Sequence, residues 1–328
     1  MIVTVTLNPA LHVGYETERV RLGGTNRVSR VTYRAGGRGL AVARVLHTFG
    51  HDVAAAGLAG GSSGEMIRAE LARAGVATQF TWITGESRRV VEVVGEGGPG
   101  EGGPGEGGPG GQGSAVTTFC EPAPYITTEE LGRLAADYRS LMAEATAAVL
   151  SGSLPAGLPA ETYGSLATYA AEAGVPVVLD AGGSALWHGV SRRPALVIPG
   201  PDDADPAALI AAGAGAVAIL SDGRVTAVTA EGQWSAELIG QHGASGPHGA
   251  SGQHGASGPP WASGQHGASG PRDALAAGFV PGIALSWSWP DTLAHAVALA
   301  ASSGPAGEVD LEAYERLLPD VIVTSQAT

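Results

Sequence analysis

Between residues 128 and 229 the chain alternates amphipathic helical stretches with short aliphatic runs, and that alternation leaves few architectures open. Residues 128–143 predict a helix, with Thr127 or Thr128 as N-cap and glutamates in its first turn. An apolar strand at 146–150, a helix at 159–173 and a strand at 175–179 follow. Short strands at 195–198, 216–220 and 225–229 surround a helix at 206–212. Strands separated by helices build a parallel sheet covered on both faces. The first third adds a buried strand at 2–7, a mixed strand-like stretch at 13–33 with a turn at Gly23 and Gly24, and a glycine turn opening a helix at 36–49. Strands at 53–59 and 89–94 flank a helix at 64–74. Helices at 273–285, 290–303 and 311–318 and a strand at 321–323 close the chain.

Two blocks break this pattern. Residues 95–113 repeat GEGGP, and residues 240–270 repeat GASG with Gln-His or Pro-His spacers. Glycine and proline at such density cannot bury a core, so both are expected to be insertions into one domain spanning 1–328. A strand resumes at 115–119, so the first block reads as the expanded turn of a β-hairpin. The histidines of the second block, His242, His248, His254 and His266, sit in a repeat without a rigid surround, which argues against a metal site.

Composition removes whole classes of function. All 18 basic residues are arginine, so there is no P-loop lysine and no lysine Schiff base. Any phosphate must be held by arginine or by backbone N–H groups. A surface of formal charge −13 does not attract nucleic acid or anionic lipid non-specifically. The single Cys120 cannot form an internal disulfide, and the N-terminus lacks the charged and apolar regions of a signal peptide, so a cytoplasmic location is expected. No apolar run reaches the roughly 18 residues of a membrane span.

Several segments resemble the PfkB/ribokinase family of carbohydrate kinases, and most closely its 1-phosphofructokinase and tagatose-6-phosphate kinase branch. These are TLNPAL after the first strand, then GGTNRVSRV, AGGRGLAVARVLHTFG, LAGGSSGEMIRAEL, SGSLPAGLP, VPVVLDAGGSAL and DALAAGF, in the family's order. The resemblance implies a ribokinase-like α/β fold: a central, mostly parallel sheet flanked by helices, with a small β-lid over the sugar. The lid would come from about 9–34 and 79–120. It implies ATP-dependent phosphoryl transfer to a sugar phosphate, with Mg²⁺, and a possible homodimer through the lid.

Carried onto this chain, the resemblance makes Asp273 the catalytic base at a helix start. The plainer role for such an aspartate is an N-cap, and the two are compatible. Gly270, Pro271 and Arg272 fall where the family forms a backbone anion hole. Pro271 has no N–H to give, and Arg272 brings a guanidinium in its place. The sugar side would use His12, Gly36, Gly37, Arg38, Ser151, Gly152 and Ser153, with Arg27 and Arg88 on the sugar's phosphate. The nucleotide side would use Asp222 and Gly223, and Asp203 would stand near the metal. His12 and Ala41 replace the family's Asp and Asn, and Ile198, Pro199 and Gly200 replace its Lys-Pro-Asn. These departures leave two further possibilities: a pseudokinase that binds a sugar phosphate or a partner without turnover, and a kinase of another small molecule.

Overall fold

A computed structural model of the chain describes residues 1–21, 23–96, 114–200, 203, 205–221, 224–238, 270–304 and 308–326. The α/β expectation holds. The large sheet is built from β1 (Ile2–Thr6), β4 (Val53–Gly60), β5 (Ala77–Ile83), β8 (Ala147–Ser151), β9 (Val177–Asp180), β10 (Leu196–Val197), β11 (Ala216–Ser221), β12 (Arg224–Thr229), β13 (Gln233–Leu238) and β14 (Val321–Gln326). Its order is β14-β13-β12-β11-β10-β9-β8-β1-β4-β5. Pairing is parallel from β5 through β11 and antiparallel from β11 to β14. Every residue of β1 and β4 is buried, as a strand covered on both faces requires.

A second sheet stands apart, ordered β3-β2-β6-β7. It contains β2 (Ala10–Glu16), β3 (Arg30–Gly36), β6 (Arg88–Glu96) and β7 (Ser114–Cys120). The β6–β7 pair is antiparallel with Glu96 opposite Ser114, so the expected hairpin forms around the first repeat. Two boundaries move. Residues 79–83, expected in the small sheet, pair in parallel with β4 and belong to the large one. Gly95 and Glu96 are strand and Gly270 is helix, so regular structure runs one or two residues into each repeat block. Residues 97–113 and 239–269 lie outside the described residues.

Helices cover both faces. The helices α1 (Arg38–Thr48), α2 (Gly61–Arg73), α7 (Gly270–Leu285) and α8 (Trp289–Ala301) pack one hydrophobic cluster, with Leu40, Ile67, Leu275 and Val297 at its centre. The other face carries α3 (Thr128–Met142), α4 (Thr162–Glu172), α5 (Gly183–Val190) and α6 (Pro206–Ala212), with Tyr138, Tyr163, Leu186 and Leu209 inside. A last helix, α9 (Leu311–Leu317), leads into β14. Thr127 is the N-cap of α3, in a capping box with Glu130. That carboxylate also accepts the Thr84 backbone N–H at 2.7 Å, so one residue caps the start of a helix and fixes the loop after β5. Among the described residues, no helix is long and apolar enough to cross a membrane.

Candidate active site

The sheet order reverses direction beside β1: the chain builds outward to β4 on one side and to β8 on the other. Loops leaving the carboxyl ends of adjacent strands diverge there and open a crevice. A cavity of about 770 Å³ occupies it. Thr6 and Asn8 enter from the end of β1, Gly152 and Ser153 from the end of β8, and Gly182, Gly183 and Ser184 from the loop after β9. His12 and Arg88 reach it from the small sheet, and Gly37 and Arg38 from the start of α1.

Gly37 takes φ 135°, which side chains rarely adopt, and a Cβ there would stand 2.7 Å from Thr6. The glycine lets α1 begin against the end of β1 and sets Arg38 at the first helical position. Asn8 Nδ2 donates to Ser153 Oγ at 3.1 Å and joins two loops of the rim. Among the described residues, Arg88 Nε, Asn8 Oδ1 and Thr6 Oγ1 are buried polar atoms with no hydrogen-bond partner. All three residues line the cavity.

His12 sits on β2 with Nδ1 3.5 Å from Glu92 Oε1. Its ring lies over Gly36, where a Cβ would come within 2.1 Å of the imidazole. Burial pulls the His12 pKa below its usual value; Glu92 opposes this, and Arg34 and Arg88 add to it.

Behind the cavity wall lies a carboxylate that the motif carry-over passed over. Asp180 ends β9 and is fully buried. Its Oδ2 accepts from Ser151 Oγ at 2.9 Å, and its Oδ1 accepts from Arg38 at 2.9 Å and from Arg272 at 3.1 Å. The signal available in VPVVLD was a lone acidic residue ending an apolar run, because a buried charge demands partners. Arg272 also donates to the carbonyls of Ile198 and Pro199. Asp273, next in the chain, is fully buried in the first turn of α7, which packs against β8 and β9.

The remaining site candidates divide. Gly36 ends β3 beneath His12, and Ser151 is buried under the rim. Gly270 is buried as the first residue of α7. Arg27 lies in the exposed connection from β2 to β3, where its carbonyl accepts from Thr17, and it is not among the residues lining the cavity. Asp222 and Gly223 lie outside the described residues. Asp203 was expected beside a metal. Instead its carboxylate accepts the Gly200 N–H at 2.8 Å and the Gly183 N–H at 3.2 Å, and so staples two turns together. With Asp180 held by two arginines, these two carboxylates do not fit a resident magnesium site. Among the described residues, no three His, Cys, Asp or Glu side chains are grouped to hold an ion.

Residues 10–101 match the family model described as pfkB family carbohydrate kinase. That segment is similar to the pfkB family. It holds His12, Gly37, Arg38 and Arg88, and so contributes three of the four strands of the small sheet and one wall of the cavity. Over its whole length the chain shares its fold with solved phosphofructokinase structures. A Staphylococcus aureus protein with a provisional assignment as a phosphofructokinase superposes with a TM-score of 0.76 at 23 % identity, covering 100 % of this chain and 99 % of the other. A Thermotoga maritima protein named as a possible 1-phosphofructokinase gives 0.73 at 20 % identity, with 99 % of both chains covered. Phosphofructokinase-2 from Escherichia coli, in complex with potassium, gives 0.76 at 18 % identity over 97 % of this chain and 98 % of its own.

Proposed function

We propose that this chain is a carbohydrate kinase that transfers a phosphoryl group from ATP to a hydroxyl of a sugar phosphate, in the manner of a 1-phosphofructokinase. One observation carries the reading. In a chain of formal charge −13, the cavity at the strand ends is lined by Arg38, Arg88 and His12, and none of its described lining residues is a carboxylate. Such a pocket selects an anion, and an arginine fork suits a phosphate. The open polar atoms of Asn8 and Thr6 are placed to meet hydroxyls. Phosphofructokinase-2 from Escherichia coli, of the same fold, has been solved with fructose-6-phosphate.

In this reading Asp273 takes the proton of the acceptor hydroxyl while its oxygen bonds to the γ-phosphorus. The bond from that phosphorus to the bridging oxygen breaks, and ADP leaves. Gly270 and the α7 N-terminus face the developing charge with backbone N–H groups. Magnesium comes with the nucleotide, because Asp180 and Asp203 are already engaged. The small sheet closes over the sugar and keeps water from the γ-phosphate. Its edge strands carry exposed Val31, Tyr33 and Phe119, a surface suited to a second copy of the chain. The place of action is the cytoplasm.

A second reading, binding without turnover, is favoured by two observations. Asp273 is wholly buried and does not line the cavity, and Arg272 is turned onto Asp180 and two carbonyls. Purified protein incubated with Mg-ATP and a panel of ketohexose phosphates, free sugars and nucleosides, with ADP release measured, separates the readings. Release with a ketohexose phosphate supports the kinase. A raised melting temperature with no ADP release supports the binding protein. Release only with another acceptor reassigns the substrate.

A further inference from the structure

Arg38 is the first residue of α1 and Arg272 lies in the first turn of α7, so both cations stand at the positive ends of helix dipoles. Both donate to the same oxygen, Asp180 Oδ1, which brings their donor nitrogens to within roughly 6 Å of each other. Two guanidiniums at that spacing and polarity repel unless an anion lies between them. Asp180 supplies one negative charge for two positive ones and is held from the far side by Ser151. Arg38 is one-third exposed and faces the cavity, whereas Arg272 is mostly enclosed. Uncompensated positive charge is therefore presented toward the cavity through Arg38. Partners in sequence lie 142 and 92 residues from Asp180, so this contact joins the cavity wall to the start of α7.

We propose that Asp180 is a positioning residue: its single carboxylate, shared by Arg38 and Arg272, holds the guanidinium of the cavity and the first turn of α7 in one fixed relation for an anionic ligand. The proposal deepens the kinase reading and rests on it for its kinetic consequence. A bound phosphate meets an arginine whose direction is already set, and Asp273 moves only if Arg272 moves. The contribution therefore falls on the reacting step more than on substrate affinity.

Asp180→Asn keeps the size of the side chain and removes the charge. In the full-length protein, kcat with the ketohexose phosphate that releases ADP is expected to fall about 100-fold. KM should change by less than about threefold. Inorganic phosphate, titrated while the melting temperature is followed, should raise Asp180→Asn by more degrees than wild type, because it replaces the lost anion between two arginines. A fall in kcat/KM carried by KM alone, or identical phosphate shifts in the two proteins, overturns the proposal. If Asp180→Asn does not fold, Arg38→Gln decides: loss of the phosphate shift supports the proposal and retention overturns it. If wild type releases no ADP with any acceptor, the kinase reading falls, and the phosphate titration by itself decides the role of Asp180.

Discussion

Asn8 donates its amide to the hydroxyl of Ser153 and so bridges the loops that leave β1 and β8, the two strands between which the cavity opens. Its carbonyl oxygen remains buried without a partner at the same rim. One side chain therefore both closes the rim and offers an acceptor to a ligand. Asn8→Ala is expected to weaken sugar-phosphate binding by about tenfold, near 1.4 kcal/mol, the scale of one hydrogen bond to a polar ligand. Its melting temperature should stay within a few degrees of wild type. Calorimetric titration of the ligand and a thermal melt check the two halves.

Asp273 has no solvent exposure; it is the fourth residue of α7, inside the first turn and not at the expected N-cap, and that helix is buried along most of its length. Asp273→Asn preserves size, so the fold should persist and the sugar phosphate should still raise the melting temperature. Turnover should fall by roughly 10²–10⁴, the usual contribution of a general base. Wild-type rates from the variant would move the base elsewhere.

Gly36 and His12 occupy one space. An alanine methyl at 36 would meet the imidazole at 2.1 Å. Gly36→Ala is expected to destabilise by about 1–3 kcal/mol through overpacking. His12→Ala in the same chain should recover most of that, because the ring that collides is gone. Denaturant unfolding of the two single variants and the double variant measures the coupling, and additive losses would show that the ring does not sit on Gly36.

Glu86 caps α2 from outside the helix, accepting from the backbone of Ser62 and Ser63 and from the Ser62 hydroxyl. Hydrogen bonds from Ser63, then from Ser62, hold its pKa at about 2. A carboxylate depressed in the folded state stabilises fully above its unfolded value of about 4.3, and that stabilisation disappears as pH falls toward 2. Glu86→Gln should therefore melt below wild type at pH 7, and the gap should close as the pH approaches 2. A gap independent of pH would mean that the charge plays no part.

Tyr33 on β3 and Phe119 on β7 belong to one cross-strand row of the small sheet, linked through Val13 and Val91, and both are more than half exposed. If a second copy covers them, Tyr33→Glu with Phe119→Glu should turn a dimer into a monomer at micromolar concentration in light scattering. An unchanged mass would place any association elsewhere.

The elements were largely legible because apolar period is local. Residues 53–59 and 216–220 form strands and 128–143 a helix within a residue or two, since each segment carries its own burial pattern. Less was visible where that signal is short. The eight residues of α5 and the six of β13 are too short for a period to stand out, and residues 79–83 were expected in the small sheet through the lid bounds that the resemblance implies, not through a pattern of their own. In the candidate site, the arginines and glycines at the cavity were found through motifs. The role of Asp203 was not legible, because a carboxylate that staples backbone N–H groups has the same letter as one that binds a cation.

By itself the sequence determined a layered α/β chain without lysine, with two blocks unable to build a core, and with arginine as the only strong cation available to a phosphate. Tertiary structure alone decided that Arg272 turns onto Asp180 and two carbonyls, that Arg38 shares the same oxygen, and that Arg27 stays outside. Hydrophobic pattern repeats every two to four residues and acts within one element. An ion pair across 92 or 142 residues has no local signature, and exists only once sheet order has brought the ends of β9, α1 and α7 together.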